Sequence, residues 1–129
     1  MSHFTTIQTQ IRDLDALAEA CREMTLGFLP NANCRGYAGI IRQAPYVIRL
    51  KGPYDIAVEP AVENDGTYAL TTDWWDGHVA NEVGENYGRL LQSYGVNKTV
   101  REAQLRGLRT TRKIESDGSI LLTLEGGAL

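Results

Sequence analysis

From Tyr54 to Trp74 the chain alternates apolar and polar positions with a period of two. Tyr54, Ile56, Val58, Pro60 and Val62 are interleaved with Asp55, Ala57, Glu59 and Ala61; Tyr68, Leu70, Thr72 and Trp74 are interleaved with Ala69, Thr71 and Asp73. Glu63-Asn64-Asp65-Gly66 separates the two runs. An Asp-Gly turn between alternating runs signals a hairpin, because Gly, Asn and Asp accept the positive φ that tight turns require. The pattern predicts an antiparallel hairpin with one buried face.

The same rules partition the rest of the chain. Thr5, Ile7, Thr9 and Ile11 alternate with their neighbours and predict an opening strand. Asp13 stands where its carboxylate can accept a free first-turn N–H. Behind it Leu14, Leu17, Ala18, Cys21 and Met24 recur at helical spacing and predict an amphipathic helix that stops before Gly27 and Pro30. Residues 27–39, punctuated by Gly, Pro and Asn, read as a loop. A short strand is expected at 38–43, and Tyr46, Ile48 and Leu50 predict another that ends at Gly52-Pro53. After Gly77 the period changes. Val79, Val83, Tyr87, Leu90, Leu91 and Tyr94 predict a helix over 79–94, ended by Gly95. Gly84 and Gly88 within it each cost about 1 kcal/mol relative to Ala. Thr99-Val100-Arg101-Glu102 reads as a capping box for a third helix, 100–106, stopped at Gly107. A closing hairpin is expected from Leu108 to Leu124 around Ser116-Asp117-Gly118-Ser119.

This order is too uneven for a regular βαβ fold. It predicts an α+β architecture: a mainly antiparallel sheet of about five to seven strands with two or three helices packed on one face. Residues 1–129 show no repeat or linker and read as a single domain. A chain of this length buries roughly two thirds of its unfolded surface, enough core without staples. The two cysteines, Cys21 and Cys34, are too few for a disulfide framework and are expected as reduced thiols, Cys21 facing the core. The N-terminal residues lack the charged start and apolar run of a signal peptide. No stretch approaches the ~20 apolar residues of a membrane span. A cytoplasmic location, or the plastid stroma for an organelle-encoded chain, is expected, with no membrane contact. The net charge of −3 argues against a general nucleic-acid binder.

Five segments resemble, in order, those of one family: Met1-Ser2-His3-Phe4 with Ile7 and Ile11, Arg35-Gly36-Tyr37-Ala38-Gly39, Tyr54-Asp55-Ile56, Asp73-Trp74-Trp75, and Glu115-Ser116-Asp117-Gly118-Ser119-Ile120. The chain resembles the family of hypothetical chloroplast open reading frame thirty-five, also described as a domain of unknown function, of plastids, cyanobacteria, other bacteria and phages. The likeness covers nearly the whole chain. It implies no particular activity and no catalytic residues, so no functional role is carried over. The tail Gly126-Gly127-Ala128-Leu129 departs from the basic or aromatic ending associated with that family.

Candidate chemistry concentrates where the first hairpin ends. Asp73, Asp76, His78 and Glu82 offer imidazole and carboxylates of the kind that suit a divalent transition metal. Their spacing matches no metal template, and capping and dipole roles explain them equally well. Trp74 and Trp75 are adjacent on an expected strand and so point to opposite faces. Trp74 follows the large apolar positions into the core. Trp75 shares a face with Ala69, Thr71 and Asp73, a composition typical of solvent. An exposed tryptophan is a common contact residue. No Ser or Cys has a His and an acid at a recognisable spacing. Gly36-Tyr37-Ala38-Gly39 and Gly84-Glu85-Asn86-Tyr87-Gly88 are not phosphate loops. Charge is segregated: residues 54–86 hold eight acids and no Lys or Arg, whereas 98–115 are mainly basic. Cross-strand pairing of a basic with an acidic strand is the expected outcome.

These readings favour a small non-enzymatic protein-interaction module. Trp75, Asp73, Arg109 and Lys113 would form its surface. No cofactor is expected, and the partner is another protein or a second copy. The alternative is a metal-binding protein or small enzyme using Asp73, Asp76, His78 and Glu82. Nucleic-acid binding through 98–113 is a weaker alternative.

Overall fold

The computed structural model describes residues 3–126. Residues 127–129 lie outside the described residues. The elements are β1 (Phe4–Gln8), α1 (Leu14–Glu23), β2 (Gly27–Arg35), β3 (Ile41–Arg49), β4 (Ile56–Pro60), β5 (Tyr68–Asp73), α2 (His78–Val83), α3 (Gly88–Leu105), β6 (Arg109–Ile114) and β7 (Ile120–Glu125). The fold is α+β. Strands β1-β5-β4-β3-β2 form a five-stranded antiparallel sheet, and β6-β7 form a separate two-stranded one.

The first hairpin pairs as its pattern dictates, with Val58 opposite Leu70 and Ile56 opposite Thr72. Gly66 takes φ +89 in its turn. Ile48, Ile56, Val58 and Leu70 present one sheet face to the helices, where Leu17, Cys21, Val79, Val83, Leu90 and Tyr94 complete a core. Asp13 caps α1 by accepting from the Ala16 N–H at 3.0 Å. Tyr94 ties α3 to α1: its hydroxyl accepts from the N–H groups of Arg12 and Asp13 at 3.0 and 3.2 Å.

Two segments differ from the pattern's prediction. Residues 27–35 are a strand, and the expected short strand at 38–43 joins the next as one long β3. Strand β2 is an edge, where Pro30 is tolerated because no ladder bond needs its missing N–H. Asn31 takes φ +46 opposite the neighbourhood of Pro45, and Ala38-Gly39 closes the hairpin with φ +57 and +77, the values of a type I′ turn. Beyond Asn31 the hairpin's small residues turn to the sheet's second face. Ala32, Cys34 and Ala44 pack there with Val47, Ala57 and Phe4. That face is therefore partly enclosed: Ala69, Thr71 and Asp73, expected towards solvent, are buried, while Thr6 and Arg42 beside them stay exposed.

The helical region also differs. The expected 79–94 helix breaks at Gly84, whose φ is +83 and where a Cβ would sit 2.9 Å from the Arg89 amide. Asn86 and Tyr87 follow with positive φ, and α3 then runs straight through Gly95 and Thr99. The capping box does not act as one. The Thr99 hydroxyl donates to the Gly95 carbonyl at 2.9 Å inside the helix. Burial of Leu90, Tyr94, Val96, Asn97 and Ala103 along α3 outweighs the glycine penalty of about 1 kcal/mol. The helix stops at Gly107, φ +73, as expected.

Candidate functional site

Asp55 sits just before β4 at an alternating position that pattern alone assigns to solvent, yet none of it is exposed. Its carboxylate is the most heavily engaged one among the described residues. Oδ2 accepts from the Arg35 N–H at 3.0 Å and from Arg35 Nε at 2.8 Å; Oδ1 accepts from Arg35 Nη2 at 2.8 Å and from the Leu50 N–H at 3.1 Å. Arg49 Nε stands 3.1 Å from Oδ2. Arg35 Nη2 also donates to the carbonyls of Leu50 and Gly52. A buried charge is tolerated only when paired and hydrogen-bonded in this way. The result binds the end of β2, the end of β3 and the 50–55 loop into one unit.

Asp73 repeats the device at the end of β5. Its Oδ1 accepts from the Trp75 N–H at 3.0 Å and its Oδ2 from the Tyr37 N–H at 3.3 Å. It joins the tip of the β2–β3 hairpin to the turn that carries Trp75. Between them Gly36 lies against Phe4, where a Cβ would approach the ring to 2.7 Å. Only glycine lets the backbone come so close.

The aromatic surface is mounted on this base. Trp75 is 45% exposed and meets Tyr37 edge-on at 5.6 Å between centroids. Ile40 and Ile41, next to the hairpin turn, are also exposed. Trp75 lies beyond the strand, in a type I′ turn with Asp76 at φ +58 and Gly77 at +74. Trp74 faces the core and meets Tyr87 edge-on at 4.8 Å. Ala38 holds left-handed φ without glycine's freedom, a strain of the sort that gathers at functional loops. A cleft of about 320 Å³ lined by Trp74, Gly77, Ala80, Glu85 and Asn86 borders the same corner.

Of the candidate metal set, Asp73 is buried and occupied by backbone N–H groups. Glu82 accepts from the N–H groups of Lys51 and Gly52 at 2.7 and 2.9 Å, closing the 50–55 loop from its other side. His78 Nε2 lies 3.8 Å from the exposed Asp76 carboxylate, and its ring meets Tyr54 at 5.1 Å. Burial, with the Asp73 and Asp76 charges and Tyr37 nearby, raises the Tyr54 phenol above its usual range. The four residues do not gather: among the described residues no three His, Cys, Asp or Glu side chains form a metal-binding group. Cys21 and Cys34 are unpaired and wholly buried, and burial pushes both thiols up to about 12, out of the nucleophilic range.

The expected contact set divides. Trp75 is exposed at the corner with Asp73 beneath it, while Arg109 and Lys113 are exposed on β6 in the other sheet. The basic segment does not pair with an acidic strand. Arg101 reaches Asp13 and Asp15, and Arg112 reaches Glu23, all at or on α1. Pattern reasoning missed Arg35, Arg49, Asp55 and Tyr37, because a charge in an alternating run is assigned to solvent by default. A usable signal was present nonetheless. Phe4, Arg35-Gly36-Tyr37, Tyr54-Asp55 and Asp73-Trp74-Trp75 come from four of the five family-like segments, and all meet at this corner.

Among the described residues no helix is long and apolar enough to cross a membrane. No solved structure matches the chain. The chain is 30% identical over 129 residues to the uncharacterized protein ycf35 of Guillardia theta, with 97% of each covered. Residues 10–123 match the model of the family described as "Protein of unknown function (DUF1257)". The chain therefore belongs to that family.

Proposed function

We propose that this protein is a small non-enzymatic protein-interaction module that docks a partner protein on the Trp75 corner. One observation carries the reading: an exposed Trp75–Tyr37 pair stands on backbone held from below by two buried carboxylates, Asp55 and Asp73. A tryptophan held rigid before binding loses little entropy on docking, which is the property of interface anchors. Ile40 and Ile41 extend the apolar surface along the hairpin tip. The carboxylates that a catalytic reading needs, Asp73 and Glu82, already serve the chain's own N–H groups.

The test is affinity capture from the native host with the wild type, Trp75→Ala and Tyr37→Ala, each first shown to be folded by circular dichroism. A partner retained by the wild type and lost by both variants supports the reading. Equal capture by all three overturns it. One bound metal per chain that disappears with His78→Ala would instead move the function to the Asp76–His78 side.

A further inference from the structure

The β6–β7 hairpin is a two-stranded sheet resting on α3, and a hairpin of two strands is marginal in water unless something completes it. It leaves Ile114 75%, Leu121 51% and Leu124 46% exposed. Its two edges differ. Strand β6 carries Arg109, Arg112 and Lys113, charges that discourage edge pairing. Strand β7 reads Ile-Leu-Leu-Thr-Leu before Glu125, with no charge, proline or positive φ to blunt it. The other uncharged edge, β1, ends a five-stranded sheet whose core is complete without a further strand.

The ladder shows which groups face outward. The Glu115 N–H donates to the Ser119 carbonyl at 2.8 Å, and Lys113 lies opposite Leu121. By antiparallel alternation Leu121 and Thr123 direct their N–H and C=O groups at β6, so Ile120, Leu122 and Leu124 direct theirs to the open edge.

We propose that a second copy of this chain pairs with β7 along this edge, antiparallel about a two-fold axis at Leu122, giving a continuous β6-β7-β7-β6 sheet. The strand is self-complementary in that register: Leu122 meets its own copy and Ile120 meets Leu124, all on one sheet face. The two basic β6 strands stand on the outside, separated by the two β7 strands, whose Ile120–Leu124 segments carry no charge, so like charges are kept apart. A single strand pair lies at the small end of interface sizes, so the association is weak, with a Kd of about micromolar order or above. The two-fold arrangement is isologous and closes, which gives a dimer and not a fibre.

Sedimentation velocity over about 1–300 µM tests this. The wild type should pass from monomer to dimer. Leu122→Pro removes an outward N–H that the monomer's ladder does not use, and the L121K/T123K double variant sets like charges opposite each other across the axis. Both should remain monomeric throughout, with the wild-type circular dichroism spectrum, whereas Trp75→Ala should dimerise normally. A wild type that stays monomeric across the range overturns the proposal, as does a dimer that survives both β7 variants. A dimer lost by Trp75→Ala alone would move self-association to the Trp75 corner and also overturn it.

Discussion

The Asp55 corner and the β6–β7 hairpin are held by different physics. At the corner, the unexposed Asp55 carboxylate is satisfied by arginine and by backbone N–H groups, and the buried Asp73 by backbone N–H groups from two turns. The hairpin is held by half-exposed apolar contacts on α3 and by ion pairs such as Arg112–Glu23 and Arg109–Glu125, whose acids as well as their arginines reach solvent. Removing the donor of a buried carboxylate strands that charge away from water. Removing one partner of an exposed pair returns both to water at little cost. The corner is consequently the more firmly held of the two, and the hairpin the more open to change by a partner or by pH.

The largest expected difference follows directly. Arg35→Ala should cost about 3–5 kcal/mol, because the wholly buried Asp55 carboxylate loses its two-point partner. Arg112→Ala should cost less than about 1 kcal/mol. Urea titrations of both variants check this, and equal losses would remove the contrast.

The tryptophans sharpen the comparison within the corner itself. Trp74→Ala should cost about 3 kcal/mol through its lost contact with Tyr87 and the core, while Trp75→Ala should cost under about 1 kcal/mol. Iodide should quench the fluorescence of Trp74→Phe, which keeps Trp75, far more than that of Trp75→Phe. Comparable quenching of the two would show that Trp75 is covered by its own chain.

Steric fit at the corner is tested at Gly36. Gly36→Ala places a methyl against the Phe4 ring and should lower stability by about 1–3 kcal/mol. Ala38→Gly works in the opposite direction. It relieves left-handed strain at φ +57 and should raise stability by up to about 1 kcal/mol, read as a rise in Tm.

The smallest effect belongs to the hairpin. The Glu23 carboxyl is held below its ordinary 4.5, chiefly by the hydrogen bond from Arg112. A depressed acid contributes stability that is present above its unfolded value and lost as pH falls through its folded one. Lowering the pH below about 4.5 should therefore speed amide exchange in β6 and β7 before it affects β3–β5. Arg112→Gln should abolish that step. Uniform loosening of both sheets at one pH would refute the separation.

Much of this architecture can be read from local pattern, because local rules act through near neighbours. The 56–73 hairpin, α1 with its Asp13 cap, the stop at Gly107 and the 109–125 hairpin each follow from periodicity, a capping carboxylate or a glycine that takes positive φ. Trp74 turned towards the core follows from the same alternation. What the sequence by itself determined is thus the set of faces and turns that single segments can specify. The tertiary structure alone decided the rest. Pro30 and Asn31 belong to a strand because an edge position asks nothing of the proline nitrogen. Thr99 stays inside a helix because burial along α3 overrides its capping preference. Asp55 and Asp73 become interior anchors because Arg35, Arg49 and Tyr37, distant along the chain, arrive to satisfy them. A carboxylate's place inside or outside depends on partners supplied by other strands, and that supply is a property of the assembled sheet.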